Sequence, residues 1–118
     1  MKSTGNSYLP ERQDIVTINF SPSSGHEIRS WHPAVVVSRV RYSELTGLVL
    51  VVPITHAKNN RLRELGMLIP LSLPEVDGFI NPLQLFTMDV ATRHVRKIGH
   101  LPDELYALVN DRLHQLIE

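Results

Sequence analysis

The residues equipped for chemistry gather in one polar stretch and at the ends of two apolar runs. Ser21-Pro22-Ser23-Ser24-Gly25-His26-Glu27 leads past Arg29 to Trp31-His32-Pro33, and only then does the run Ala34-Val35-Val36-Val37 begin. A second run closes on Val52-Pro53-Ile54-Thr55-His56. Imidazole and carboxylate groups exchange protons, and hydroxyl and guanidinium groups donate hydrogen bonds to developing negative charge. A rigid strand that carries such groups at its mouth is a common way to present a reactive site. Each residue also has a plain structural reading. His32 can be a strand-start histidine bonded to backbone, Glu27 a solvated loop acid, and Arg29 an ordinary surface arginine. The Thr55 hydroxyl can satisfy a nearby backbone group. Trp31 can stack an unpaired base or anchor a core or dimer seam. His26, Glu27 and His32 lack the helical spacing of a paired-histidine metal site, and no cysteine assists, so neither metal nor cofactor is expected.

The elements that must position these groups read mainly as strands. From Asp14, the residues Val16, Ile18 and Phe20 alternate with Thr17 and Asn19, the period of a half-buried strand, which Ser21 to Gly25 then stops. Ala34 to Val40 and Leu48 to Val52 are short, Val- and Leu-rich runs expected as central strands, with one glycine-closed helical turn over Tyr42 to Gly47 between them. His56 to Glu64 reads as a basic, polar loop. After Met67 to Leu73, Pro74 to Gly78 reads as a turn, and Phe79 to Phe86 as an edge or bulged strand interrupted by Pro82. Val90 to Ile98 reads as a basic strand. The last segment is helical: Pro102 suits the first turn, Asp103 and Glu104 favour the positive end, and Leu105, Leu108, Val109, Arg112, Leu113 and Leu116 follow helical spacing. Residues 1–12 read as a flexible arm and 13–118 as one domain.

Composition narrows the class. The 118 residues suffice for one core, the 12 basic and 12 acidic side chains cancel, and there is no cysteine. Zero net charge argues against coating nucleic acid by bulk electrostatics while permitting a local basic groove. The lack of cysteine fits a reducing cytoplasm, and neither a signal peptide nor a run of roughly 20 apolar residues is visible.

In order and spacing, these pieces resemble the MazF/PemK (Kid) family of toxin endoribonucleases. The likeness rests on Asp14-Ile15-Val16, the Pro22 to Glu27 loop, Pro33 to Ser38, Val52-Pro53-Ile54-Thr55, Thr87 to Val90, Arg96-Lys97-Ile98-Gly99 and the apolar terminal helix. It implies a mainly β, SH3-like small barrel of the MazF/PemK/CcdB type with a C-terminal helix, forming a homodimer. It further implies metal-independent cleavage of single-stranded mRNA to 2′,3′-cyclic phosphate and 5′-hydroxyl ends, and neutralisation by a cognate antitoxin. By motif, Thr55 matches the family's threonine, Glu27 its loop acid and His26 a histidine of PemK-like members. His32 stands where the family has arginine. The catalytic set implied is Glu27, His32 and Thr55, with His26, Arg29, Trp31, His56, Lys58, Arg61 and Gln84 along the RNA. Two departures stand out. Histidine lacks the permanent charge and five-donor fork of arginine, and Leu83 precedes Gln84 where many members carry an acid or amide. Asn81 takes that place only if Pro82 shifts the register. The alternatives are a MazF-like binding module without catalysis and a CcdB-like gyrase inhibitor.

Overall fold

Two valine-rich segments set the architecture. In the computed structural model, which describes residues 8–20, 31–56 and 64–118, they form neighbouring antiparallel strands β2 (Trp31–Val36) and β3 (Leu48–Thr55). β1 (Asp14–Asn19) lies against β2 and, on its other edge, against β7 (Arg96–His100). β4 (Ile69–Ser72) and β5 (Asp77–Ile80) form a hairpin, while β6 (Phe86–Asp89) joins the sheet beside β3. The order is β4-β5-β3-β2-β1-β7, with β6 on β3. Although β4 and β7 end that order, Glu75 of the β4–β5 turn lies against Gly99 of β7, where an added Cβ would come 2.6 Å from its Oε2. The sheet therefore curls until its two ends meet. The expected mainly β fold with a C-terminal helix is what forms.

Alternation splits the apolar residues between two cores. Ile15, Val35, Val52 and Ile54 pack with the β4–β5 hairpin and the terminal helix α2 (Asp103–Ile117), which contributes Tyr106, Val109 and Leu113. Val16, Ile18, Ala34, Val36, Val49 and Val51 pack with Met88 and Val95, flanked by Phe20 and Phe86. Each such side chain contributes roughly 1.5–3 kcal/mol when fully buried. Because β1 sits between two strands and two cores, it is buried on both faces, not the expected one.

Five other sequence expectations change. The run expected as a strand over Ala34 to Val40 stops pairing at Val36, and Val40 instead opens the short helix α1 (Val40–Thr46). Arg39, extended at φ −72° and ψ 152°, makes that break, and Gly47 closes the helix at φ 75°, as expected. Phe79 to Phe86 is not one strand. β5 and β6 both pair with β3, but between the Ile54–Ile80 and Val51–Phe86 pairs β3 spends Val52 and Pro53 while the partner spends Asn81 to Leu85. Pro82, which cannot donate to a ladder, lies in that looped-out stretch. Asp77 and Gly78 belong to β5 and leave a shorter turn, and residues 90–95 form a turn that delays β7 to Arg96. Finally, α2 turns Tyr106 inward while Leu108 and Leu116 are 41% and 50% exposed.

Residues 8–12 of the expected arm are tied to the domain. The Tyr8 hydroxyl donates to Asp14 Oδ2 at 2.5 Å and the Glu11 N–H donates to the same oxygen at 3.0 Å. Lys97 Nζ lies 3.4 Å from Asp14 Oδ1, so this buried carboxylate is surrounded by donors. Burial and the Asp14 carboxylate hold the Tyr8 phenol well above its ordinary range.

Candidate functional site

β2 passes from solvent into the core within six residues. Trp31 and His32 are exposed, Pro33 is half-buried, and Ala34, Val35 and Val36 are fully covered. The buried half fixes the strand and the exposed half presents its side chains. His32 pairs with Ile18 of β1. Its ring meets Phe20 edge-on, with centroids 5.5 Å apart at 88°, and Phe20 meets Phe86 in the same way at 5.4 Å. Successive strand residues face opposite ways, so His32 shares a face with Ala34 and Val36.

The β2–β3 ladder ends at Ala34–Pro53. His32 and Thr55 each lie two residues beyond that last pair, on the strand sides of Ala34 and Pro53. Thr55 is half-buried and pairs on its other edge with Phe79 of β5. β5 approaches so closely that a Cβ on Gly78, at φ +139°, would stand 2.7 Å from the Thr55 carbonyl oxygen. Only glycine fits there.

Beyond Thr55, His56 Nε2 lies 3.3 Å from Asp77 Oδ1. Both side chains are exposed, and such surface pairs contribute ~0–1 kcal/mol. They line an open cavity of about 510 Å³ with Ser72, Phe79, Pro70 and Leu71. Phe79 gives it an aromatic wall, and His56, Ser72 and Asp77 give it a polar rim.

Gln84 sits on the looped-out stretch beside Pro53. Its Oε1 accepts from Asn81 Nδ2 at 3.5 Å, while Asn81 Oδ1 accepts the Leu83 N–H at 3.1 Å and the Asn81 N–H donates to the Pro53 carbonyl at 2.9 Å. The Asn81 side chain is thus committed to shaping the turn, and Gln84 is the exposed amide. His26, Glu27, Arg29, Lys58 and Arg61 lie outside the described residues. Among the described residues, no group of three or more His, Asp or Glu is placed to hold a metal ion.

Residues 11–117 match the family of PemK-like, MazF-like toxins of type II toxin–antitoxin systems. The chain belongs to that family. Among curated relatives, the endoribonuclease toxin ChpB of Escherichia coli strain K12 is 37% identical over 111 residues, covering 92% of this chain and 94% of ChpB. The endoribonuclease toxin MazF of the same strain is 30% identical, covering 93% of this chain and 96% of MazF. The crystal structure of MazF from Deinococcus radiodurans superposes with a TM-score of 0.77 at 26% identity, covering 94% of this chain and 98% of that one.

For a member of this family, the structure adds three residues that sequence reasoning left out of the site. Phe20 and Phe86 fix the surroundings of His32, and Asp77 faces His56. Phe20 was legible only as the last alternating residue of its strand. Its contact with His32 depends on the β1–β2 register, which no local pattern states.

Proposed function

We infer that this chain is the toxin of a type II toxin–antitoxin pair and acts as an endoribonuclease on single-stranded mRNA. The observation that carries this reading is the 37% identity to the endoribonuclease toxin ChpB across nearly the full length of both chains. The cytoplasm, where mRNA is found, is its place of action. A homodimer presents the groove, and a cognate antitoxin blocks it.

The chemistry follows from the substrate. RNA carries its own nucleophile, so cleavage needs a base for the 2′-hydroxyl proton, an acid for the leaving 5′-oxygen and donors for the charge growing on phosphorus. Attack of the 2′-oxygen forms the P–O bond of a 2′,3′-cyclic phosphate as the bond to the 5′-oxygen breaks, leaving a 5′-hydroxyl. No metal is required by that scheme. Glu27 takes the proton, His32 as imidazolium supplies the other, and the Thr55 hydroxyl steadies the phosphorane. Support for using His32 and Thr55 together comes from the β2–β3 ladder, whose last pair, Ala34–Pro53, lies two residues from each. Arg29 adds the phosphate fork that arginine would supply at position 32. Trp31, His26, His56, Lys58, Arg61 and Gln84 hold the flanking nucleotides.

The test is incubation with long single-stranded RNA in excess EDTA, with cut positions and end groups mapped. Discrete cuts with cyclic-phosphate and 5′-hydroxyl ends are expected, and they should fall by roughly 10²-fold or more in His32→Ala. Intact RNA across many sequences would overturn the reading, and growth arrest with intact mRNA would point to a protein target instead.

A further inference from the structure

Where β1 begins, β2 ends and α2 starts, three hydrogen-bond donors come to one corner with nothing to accept from them. Gln13 builds that corner. Its N–H donates to the Val36 carbonyl, its carbonyl accepts the Leu101 N–H, and its Nε2 donates to the Leu101 carbonyl at 2.6 Å. The same Nε2 donates to Asp103 Oδ1 at 2.6 Å, so the acid one turn before Tyr106 is already engaged. Arg12 thereby stands beside the last residue of β2. Arg39 follows that residue by three, just past Val37, which packs in the same core as Tyr106. Both arginines are exposed, and among the described residues neither guanidinium has an ion pair or hydrogen bond. Tyr106 is only 9% exposed, and its hydroxyl likewise has no hydrogen-bond partner among the described residues. Burial raises its phenol above the ordinary range, and the two charges that act on it, Arg12 and Arg39, pull it back.

We propose that Arg12, Arg39 and Tyr106 form a binding site for a phosphate group, free or carried on a nucleotide chain. The unbonded hydroxyl carries the proposal. Buried polar groups nearly always have a hydrogen-bond partner, so one with none in the protein faces a water or a ligand. A water would satisfy the hydroxyl and leave both guanidinium groups uncompensated, whereas an oxyanion answers all three. Guanidinium forks bind phosphate oxygens in pairs, and a tetrahedral phosphate has oxygens enough for two forks and a hydroxyl. A planar carboxylate, with two oxygens, does not. The site lies at the end of β2 away from His32 and on the α2 core, not the core that Phe20 flanks. It is therefore separate from the residues assigned to cleavage and does not depend on that assignment.

The test uses the whole protein with inorganic phosphate as the probe. Binding is followed by ³¹P line broadening, and melting temperature is compared in phosphate and in a phosphate-free buffer of equal ionic strength. Wild type should bind saturably and melt higher in phosphate. Tyr106→Phe keeps the packing and breaks no bond within the protein. In phosphate-free buffer it should melt no lower than wild type, yet it should bind phosphate roughly tenfold more weakly, the loss of one charge-assisted hydrogen bond. Arg12→Gln and Arg39→Gln should each weaken binding by roughly tenfold as well, while Arg112→Gln, which removes a guanidinium already beside Asp111, should not. A pair of 12-nucleotide 2′-fluoro RNA strands, one 5′-phosphorylated and one 5′-hydroxyl, identifies the source. Weakening by Tyr106→Phe of the phosphorylated strand alone assigns a terminal phosphate, and weakening of both assigns the RNA backbone. Weakening of neither leaves free phosphate as the ligand. Absence of saturable binding, or equal binding by Tyr106→Phe and wild type, would overturn the site. A lower melting temperature of Tyr106→Phe in phosphate-free buffer would show that the hydroxyl serves the fold and would overturn it as well.

Discussion

Phe20 offers a way to ask whether the imidazole of His32 works, without touching that imidazole. It makes two edge-to-face contacts, one to His32 at 5.5 Å and one to Phe86 at 5.4 Å. An aromatic pair of this kind contributes about 0.5–1.5 kcal/mol beyond the area it buries. Only the first contact holds the His32 ring in place. If that energy maintains the reactive orientation, Phe20→Leu raises the barrier by the same amount, and kcat falls by roughly 2- to 12-fold. Losing the second contact costs about 1 kcal/mol of stability, which leaves the protein folded at assay temperature. Direct removal of the acid in His32→Ala should cost ~10²–10⁴-fold.

The decisive comparison is a double-mutant cycle in single-turnover cleavage of an RNA bearing one mapped cut site. Residues acting through the same step are non-additive, so Phe20→Leu should have no further effect once His32 is alanine. An equal fall in both backgrounds would mean that Phe20 acts through general packing. No fall in the wild-type background would mean that His32 needs no orientation or does no chemistry. Either result refutes the reasoning.

Three further outcomes follow from the scaffold. Tyr8→Phe deletes a hydrogen bond to a buried carboxylate and should cost about 2 kcal/mol in urea denaturation at neutral pH. Because the folded protein holds the Tyr8 phenol above its ordinary value, that advantage is full below pH ~10 and shrinks by about 1.4 kcal/mol per pH unit above it, as the unfolded chain ionises; a constant gap up to pH 11.5 counts against the latch. Tyr106, also raised by burial, is present in both proteins and cancels. Gly78→Ala forces a Cβ onto the Thr55 carbonyl and should cost about 3 kcal/mol while impairing cleavage, whereas Gly47→Ala, with open space around it, should cost only about 1 kcal/mol and leave kcat alone. Gln13 combines a left-handed backbone at φ 86° with side-chain bonds to the Leu101 carbonyl and Asp103 at 2.6 Å. Gln13→Ala keeps the strain and loses the bonds, so its melting temperature should lie below that of Gln13→Gly by about the 1 kcal/mol of relieved strain; the reverse order refutes this account.

What was legible in the residues was whatever depends on near neighbours. The alternation from Asp14, the glycine closing α1 and the acidic start of α2 each state their own local structure, and each forms where expected. What failed depended on partners distant in the chain. β1 reads as half-buried because its second cover, the α2 and β4–β5 layer, lies some fifty or more residues away. Phe79 to Phe86 reads as one strand because both of its parts do pair with β3; only the ladder shows that one side spends five residues where the other spends two. On α2, Leu105, Val109 and Leu113 pack inward as expected, and only one edge of the stripe shifts, for a similar reason. Tyr106 and Leu108 fit helical spacing equally well, and the sheet surface beneath the helix selects the first.

The site obeys the same division, with a consequence for its chemistry. Arginine at position 32 would need little placement, since a long side chain with five donors and a permanent charge reaches a phosphate from many starting points. Histidine is short, carries two ring nitrogens and must be charged to serve as the imidazolium acid of the proposed scheme. Replacing the one by the other moves the burden from the side chain to its neighbours. The structure supplies neighbours of the right kind: a buried half-strand that fixes the backbone, Phe20 against the imidazole ring, and Phe86 behind Phe20. All three are set by β-sheet register. Under the proposed mechanism, the two phenylalanines are therefore part of what makes a histidine usable at this position.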